Sequence, residues 1–261
     1  MARVVALYRY PLKGFTPEEC DTLTVLGEGR IAGDRVLGIR FADTEAPDHA
    51  WSRKHGMLAL INTPGLARLR VTFDAKASRL RVSLGASLLV DEDLNPEGRR
   101  RISVALADYV LKLDENPLTS HPERLPLRVI GNGHTPRYHD DEFGRVTLHG
   151  RESLRALENA LGQDVSELRF RSNIAVEGLT AWEEQSWVGR KIRVGAVEFD
   201  VAKPKTRCLA THANPTSGDR DLPILITLTQ KLGQEHPSFA VAMVPSRGGG
   251  EIRVGDEVLI D

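Results

Sequence analysis

Cysteine is scarce in this sequence, with two among 261 residues. That excludes a disulfide scaffold, a four-cysteine zinc site and an iron–sulfur cluster. Neither sign of charge is in excess, since 35 Lys and Arg face 36 Asp and Glu for a formal net charge of −1. Such a balance removes the electrostatic footprint of a nucleic-acid binder. No apolar run approaches the ~18 residues of a membrane span. Met1-Ala2-Arg3 leads straight into alternating, strand-like sequence rather than a signal-peptide core. Also missing are a G-x-G-x-x-G turn after a strand, a Walker A loop, H-E-x-x-H and a G-x-S-x-G elbow. Dinucleotide oxidoreductase, NTPase, zinc-protease and serine-hydrolase readings therefore lack support. What is present is a globular composition, 41% hydrophobic and 27% charged, on a chain long enough to bury a core without staples. The composition reads as a soluble, cytoplasmic α+β protein with no nucleic-acid or membrane partner.

Period-two alternation predicts strands around Val5–Tyr10, Leu23–Val25, Val36–Phe41, Arg68–Phe73 and Leu80–Leu84. Ile102, Ala105, Leu106, Tyr109, Val110 and Leu113 fall on one helical face, predicting a helix over 102–113. The proline-containing stretch Asp114–Pro126 is the expected boundary between an N-terminal domain (1–120) and a second domain (121–261). Beyond it, helices are expected at Leu154–Leu161 before Gly162 and at Ile224–Leu232 before Gly233. Strands are expected at Ile174–Val176, Lys191–Val194, Val197–Val201, Phe239–Met243 and Glu251–Ile260. Ile192-Arg193-Val194-Gly195 recurs as Ile252-Arg253-Val254-Gly255. Both copies read as strand, glycine turn, strand, a hairpin device suited to a small barrel.

The two cysteines differ in their neighbours. Cys20 sits among Glu18, Glu19 and Asp21, which favour the protonated thiol, whereas Cys208 follows Lys203, Lys205 and Arg207. Cations favour the thiolate, the nucleophilic and metal-binding form. A polar, turn-rich segment follows Cys208, so the residue is placed on a loop after a strand rather than inside one. In Phe170-Arg171-Ser172-Asn173-Ile174, Arg171 and Asn173 lie two apart and would share a strand face suited to an anion. Tyr138-His139-Asp140-Asp141-Glu142 lacks metal-ligand spacing and reads as a solvated loop. His49, His55, His134 and His149 are scattered singly and are assigned no metal.

These pieces occur in an order that resembles MOSC-domain proteins, named after the C-terminal domain of molybdenum-cofactor sulfurase and preceded by an N-terminal β-barrel domain. Tyr10-Pro11-Leu12-Lys13 resembles the opening Y-P-[IVL]-K, and Gly33-Asp34-Arg35 the turn that follows it. Ser52-Arg53 with Leu58-Ala59-Leu60-Ile61, and the stretch Trp182 to Trp187, match later segments. Phe170-Arg171-Ser172-Asn173-Ile174 is similar to F-R-P-N-I, and Arg207-Cys208-Leu209-Ala210-Thr211 with Asn214-Pro215 and Gly218 to R-C-x-x-T…[DN]-P-x-[TS]-G. Ile252 to Asp256 resembles the closing strand.

The resemblance implies a mainly β, α+β fold in which an N-terminal barrel-like domain packs on the MOSC barrel. It implies the molybdenum cofactor (molybdopterin) as ligand, with Cys208 binding molybdenum or carrying sulfur and Thr211 beside it in the catalytic motif. Lys13, Arg35, Arg53, Arg171, Asn173 and Arg207 fall on the positions that hold the cofactor. The implied activity is reduction of N-hydroxylated or N-oxygenated small molecules, as in the amidoxime-reducing members. Electrons would come from a separate donor protein, because the chain has too few cysteines for an iron–sulfur domain. The alternative is a sulfur carrier, with a persulfide on Cys208, or a cofactor-handling protein. Two departures stand out: Gly14 replaces the serine that many relatives have after the lysine, and Ser172 replaces the proline of F-R-P-N.

Overall fold

Alternating burial marks β-strands such as Leu69–Asp74, while others such as Val146–Gly150 are buried on both faces, in the computed structural model, which describes residues 1–260. In chain order these are β1 (Ala2–Arg9), β2 (Glu18–Glu19), β3 (Thr22–Val25), β4 (Gly38–Arg40), β5 (Leu69–Asp74), β6 (Arg79–Leu84), β7 (Ser87–Asp93) and β8 (Arg128–Ile130). The second half adds β9 (Val146–Gly150), β10 (Ile174–Glu177), β11 (Lys191–Val194), β12 (Val197–Thr206), β13 (Ser238–Pro245), β14 (Gly250–Arg253) and β15 (Glu257–Ile260). The helices are α1 (Pro96–Val110), α2 (Arg151–Leu161) and α3 (Ile224–Ile226), the last continued by a π turn over Thr227–Lys231. No helix among the described residues is long and apolar enough to cross a membrane.

Seven strands close into a barrel in the order β10–β9–β13–β12–β11–β15–β1, with β1 returning to β10. Closure leaves no free edge among the seven. β9 and β10 run parallel with α2 as the crossover between them. β1 fits by pairing Leu7 with Ile174 and Val4 with Val176 on one side, and Ala2 with Val258 on the other. The first residues of the chain therefore complete a barrel whose other six strands lie beyond residue 145. Its core includes Val4, Leu7, Leu148, Val176, Phe199, Val241 and Met243. A second core lies around the β5–β6–β7 sheet and the β4–β8 pair, covered by Ile102, Leu106 and Val110 of α1. The proline-containing stretch 114–126 stays with this second core, into which Leu118 and the following Leu127 pack.

β2, β8 and β9 are absent from the sequence reading, and three further elements differ from it. α1 spans 96–110 rather than 102–113, because Asn95 Oδ1 accepts from Gly98 N at 2.8 Å and Pro96 opens the first turn. Its first turn is polar, so apolar periodicity could not show it. β7 went unseen because, along Ser87–Asp93, only Val90 is buried. The second glycine echo is not a hairpin: β11 and β12 pair across Gly195, but β14 pairs with β3 while β15 pairs with β11 and β1. Buried Ile252 is matched to Leu23, so β14 leaves the barrel to cover β3.

Candidate functional site

The chain passes repeatedly between the two cores, and charged residues collect at the crossings. Leu12 and Phe15 pack in the α1 core, although β1 before them is a barrel strand and β3 after them packs its Leu23 and Val25 in the barrel core. Lys13, between them, is buried, and its ammonium meets the Asp140 carboxylate at 2.8 Å. Burial lowers the Lys13 pKa, while Lys13 holds Asp140 well below the usual carboxylate range. Asp140 belongs to the segment that carries the chain back to the barrel.

Asp34 and Arg35 stand at the next crossing. Asp34 accepts Tyr10 N at 2.7 Å, pairs with Arg35 and lies 3.3 Å from His139 Nε2. Burial alone would raise the Asp34 pKa, but Arg35 and His139 outweigh it and hold it at about 2. Arg35 (φ 52) and Arg171 (φ 53) both occupy the left-handed region, uncommon for residues with a side chain. Both guanidiniums lie over Tyr10, 4.9 and 4.3 Å from the ring centroid. Burial and the neighbouring Arg35 bring the Arg171 pKa down to about 10.

β12 runs to Thr206 and delivers Lys205 and Arg207 to the same place. Arg207 donates from Nη1 to Phe170 O and from Nε to Phe239 O, both at 2.7 Å, so it staples two loops while presenting its charge. Burial takes its pKa to about 10. Cys208 follows, partly exposed, at the N-terminal edge of a 3₁₀ turn over Leu209–His212. Thr211 ties that turn, donating from both N and Oγ1 to Cys208 O at 3.0 Å. Lys54, in the segment after β4, donates to Cys208 Sγ at 3.3 Å.

Lys13, Arg35, Arg171 and Cys208 thus line one cleft, whose deeper part, of about 130 Å³, is bordered by Arg207 and Thr211. Asn173 is buried behind it, donating to Tyr8 O at 3.2 Å and accepting from Thr147 Oγ1 at 3.2 Å, so it ties β1 to β9. β10 begins only at Ile174, and the left-handed turn at Arg171 breaks the alternation that would have put Arg171 and Asn173 on one face. Arg53 is exposed and does not line the cleft; its neighbour Lys54 does.

Sequence reasoning missed Lys54, His139, Asp140 and Arg169, all of which line the cleft. The segment 138–142 is only half a solvated loop: Asp140 and Glu142 are exposed, but Tyr138 and His139 are buried, and Tyr138 OH donates to Asp48 O at 2.6 Å. Its signal was the density of carboxylate and imidazole beside a chain reversal. Gly14 is more than a missing hydroxyl. It adopts φ +85, and a Cβ there would stand 2.9 Å from Ala59 Cα.

The arrangement suits an anion with several acceptor oxygens next to a soft centre, since guanidinium forks take phosphate and thiolate takes soft metal. Among the described residues no group of three or more His, Cys, Asp and Glu is placed to hold a metal ion. A metal here would need a ligand that brings its own donors, with Cys208 as the protein's contribution.

Parts of this chain are similar to known proteins. Residues 135–259 match the MOSC domain family. The chain is 30% identical over 129 residues to the molybdenum cofactor sulfurase of Caenorhabditis briggsae, covering 49% of this chain and 17% of that protein. It is 31% identical over 117 residues to mitochondrial amidoxime-reducing component 1 of Mus musculus, covering 41% of this chain and 34% of that one. It therefore spans about a third or less of the curated relatives it matches. The YUAD protein of Bacillus subtilis aligns with 99% of the chain at 12% identity and a TM-score of 0.44, over 94% of its own length. The MOSC match takes in just under half of the chain, and Cys208 lies within the matched region.

Proposed function

We propose that the cleft holds the molybdenum cofactor and that the protein is a molybdenum-dependent oxidoreductase for N-hydroxylated or N-oxygenated small molecules. One observation carries this reading: a partly exposed thiol lies in a cleft lined by cations from both cores. The residues fit the group. Cys208 is the soft donor for the metal, while Lys13, Arg35 and Arg171 are placed to hold the phosphate and the pterin. Buried atoms at the cleft still lack partners, Arg169 Nε and His139 Nδ1 among them, as a site with a polar ligand requires.

When bound, the cofactor supplies two-electron redox chemistry, and the protein supplies orientation and electrostatics. Thr211 acts as a positioning residue, because its hydroxyl is spent on Cys208 O and fixes the turn that presents the thiol. Asp34 orients Arg35, and Asp140 orients Lys13. In this reading the electrons come from a separate redox protein.

A second reading, a sulfur carrier with a persulfide on Cys208, is favoured by the Lys54 ammonium against Sγ. Elemental analysis separates the two, using protein from a host that makes the cofactor and Cys208→Ser beside it. Near-stoichiometric molybdenum that the variant loses supports the oxidoreductase and calls for N-hydroxy reduction assays. No molybdenum in either protein sinks that reading and leaves sulfur transfer or a plain structural barrel.

A further inference from the structure

Lys54, in the segment after β4, and Cys208, just past β12, meet across the cleft at 3.3 Å. An amine and a thiol at that separation are a reactive pair as well as a hydrogen bond. A second feature lies in the same cavity: Arg169, 4% exposed, keeps Nε without a hydrogen-bond partner among the described residues. The rest of its guanidinium is held by His212 O and the Asp221 carboxylate, which fixes the turn that follows the thiol. We propose that Lys54 and Cys208 form a reversible covalent sulfur–nitrogen link when the empty cleft meets hydrogen peroxide.

The chemistry balances in two steps. The Cys208 sulfur attacks peroxide, an S–O bond forms as the O–O bond breaks, and the thiol proton leaves with the second oxygen as water. Sulfur is oxidised by two electrons to the sulfenic acid and peroxide is reduced. Lys54 then gives a proton to water and, as the neutral amine, attacks sulfur; the S–N bond forms as the S–O bond breaks, and hydroxide departs as water with a second proton from nitrogen. Condensation of a sulfenic acid with nitrogen needs no further oxidant. Two equivalents of an added thiol reverse the link and become a disulfide. The flexible lysine stem covers the remaining distance.

The link joins two segments 154 positions apart in the chain and consumes the thiol. That it also bars cofactor loading rests on the function proposed above, but the link itself does not. Peptide mass spectrometry of the reduced full chain, before and after hydrogen peroxide, tests it. The expected product is a joined peptide pair through Lys54 and Cys208, two hydrogens lighter than the sum of its parts. Thiol reductant should release it, and Lys54→Arg should lack it and yield a dimedone adduct on Cys208 instead. If wild-type Cys208 is trapped by dimedone or over-oxidised as fast as in Lys54→Arg, with no joined peptide, the proposal is overturned. A joined peptide in a chain that never holds molybdenum upholds the link and removes the cofactor reading. Molybdenum lost with Cys208→Ser, but no joined peptide, does the reverse.

Discussion

Replacing Glu184 with Gln should remove a pH dependence of stability that this one carboxyl creates. Glu184 is fully buried and anchors the start of α2. Ser153 Oγ donates to its Oε2 at 2.8 Å, and Gly150 N approaches Oε1 at 3.4 Å. No cation offsets its burial, which pushes its pKa up from 4.5 to about 7. Between those values the folded chain keeps a proton that the unfolded chain has released. Stability from this group is thus complete below about pH 4.5 and declines as pH rises toward 7. A shift of this size corresponds to about 3 kcal/mol in full, of which about 2–3 kcal/mol falls between pH 5 and pH 8. A neutral Gln keeps an acceptor for Ser153 and has nothing to ionise. Urea unfolding of both proteins near pH 5 and pH 8 measures the effect. The gain from Glu184→Gln should grow by about 2–3 kcal/mol at the higher pH, with unchanged m-values. Buried His139 and His149 titrate in both proteins and cancel in the difference. Equal pH profiles for the two chains would refute an uncompensated carboxyl at α2.

The cleft yields further predictions. Asp34→Asn removes the partner of buried Arg35 and should cost about 3–5 kcal/mol at neutral pH by urea unfolding. In the wild type that contribution is present above the ordinary carboxylate pKa of 3.8 and is lost as pH falls through about 2. Gly14→Ser forces a side chain into a left-handed position against Ala59 and should cost about 1–3 kcal/mol, seen as a lower thermal midpoint. Lys54→Ala should lower molybdenum content while Arg53→Ala leaves it unchanged, because only Lys54 faces the cleft. Equal losses in both would count against the placement of these two residues.

Local signals in the sequence were sufficient where one face of an element meets one core. β3, β5 and β11 alternate cleanly, and α2 ends at Gly162 in the left-handed conformation its position suggests. Long-range pairing was not legible. Nothing in residues 2–9 says that they close a barrel against a strand beginning at residue 174. The site divides in the same way. Lys13, Arg35, Arg171, Arg207 and Cys208 were visible through motif order, and the fold gathers them in one cleft. Asp140 was not, because its role is fixed by Lys13, 127 positions away. Arg171 and Asn173 show the converse failure, where a strand rule was applied across a turn that one positive φ creates.

The cleft's charge is itself a store of binding energy. Burial depresses Lys13, Lys205, Arg171 and Arg207 together, which means each is held charged at a cost in the empty chain. Asp140 and Asp141 at the cleft, with Asp34 behind Arg35, offset only part of that cluster. An anion entering the cleft relieves the repulsion, so it should stabilise the fold by more than its ionic strength explains. At ten times its dissociation constant, a singly binding anion adds about 1.4 kcal/mol. Thermal unfolding in phosphate against chloride at matched ionic strength reads this directly. The midpoint should rise in phosphate for the wild type and rise less for Arg171→Gln. Identical midpoints in the two salts would mean that the cations are neutralised within the protein and that the cleft is not built around an anion.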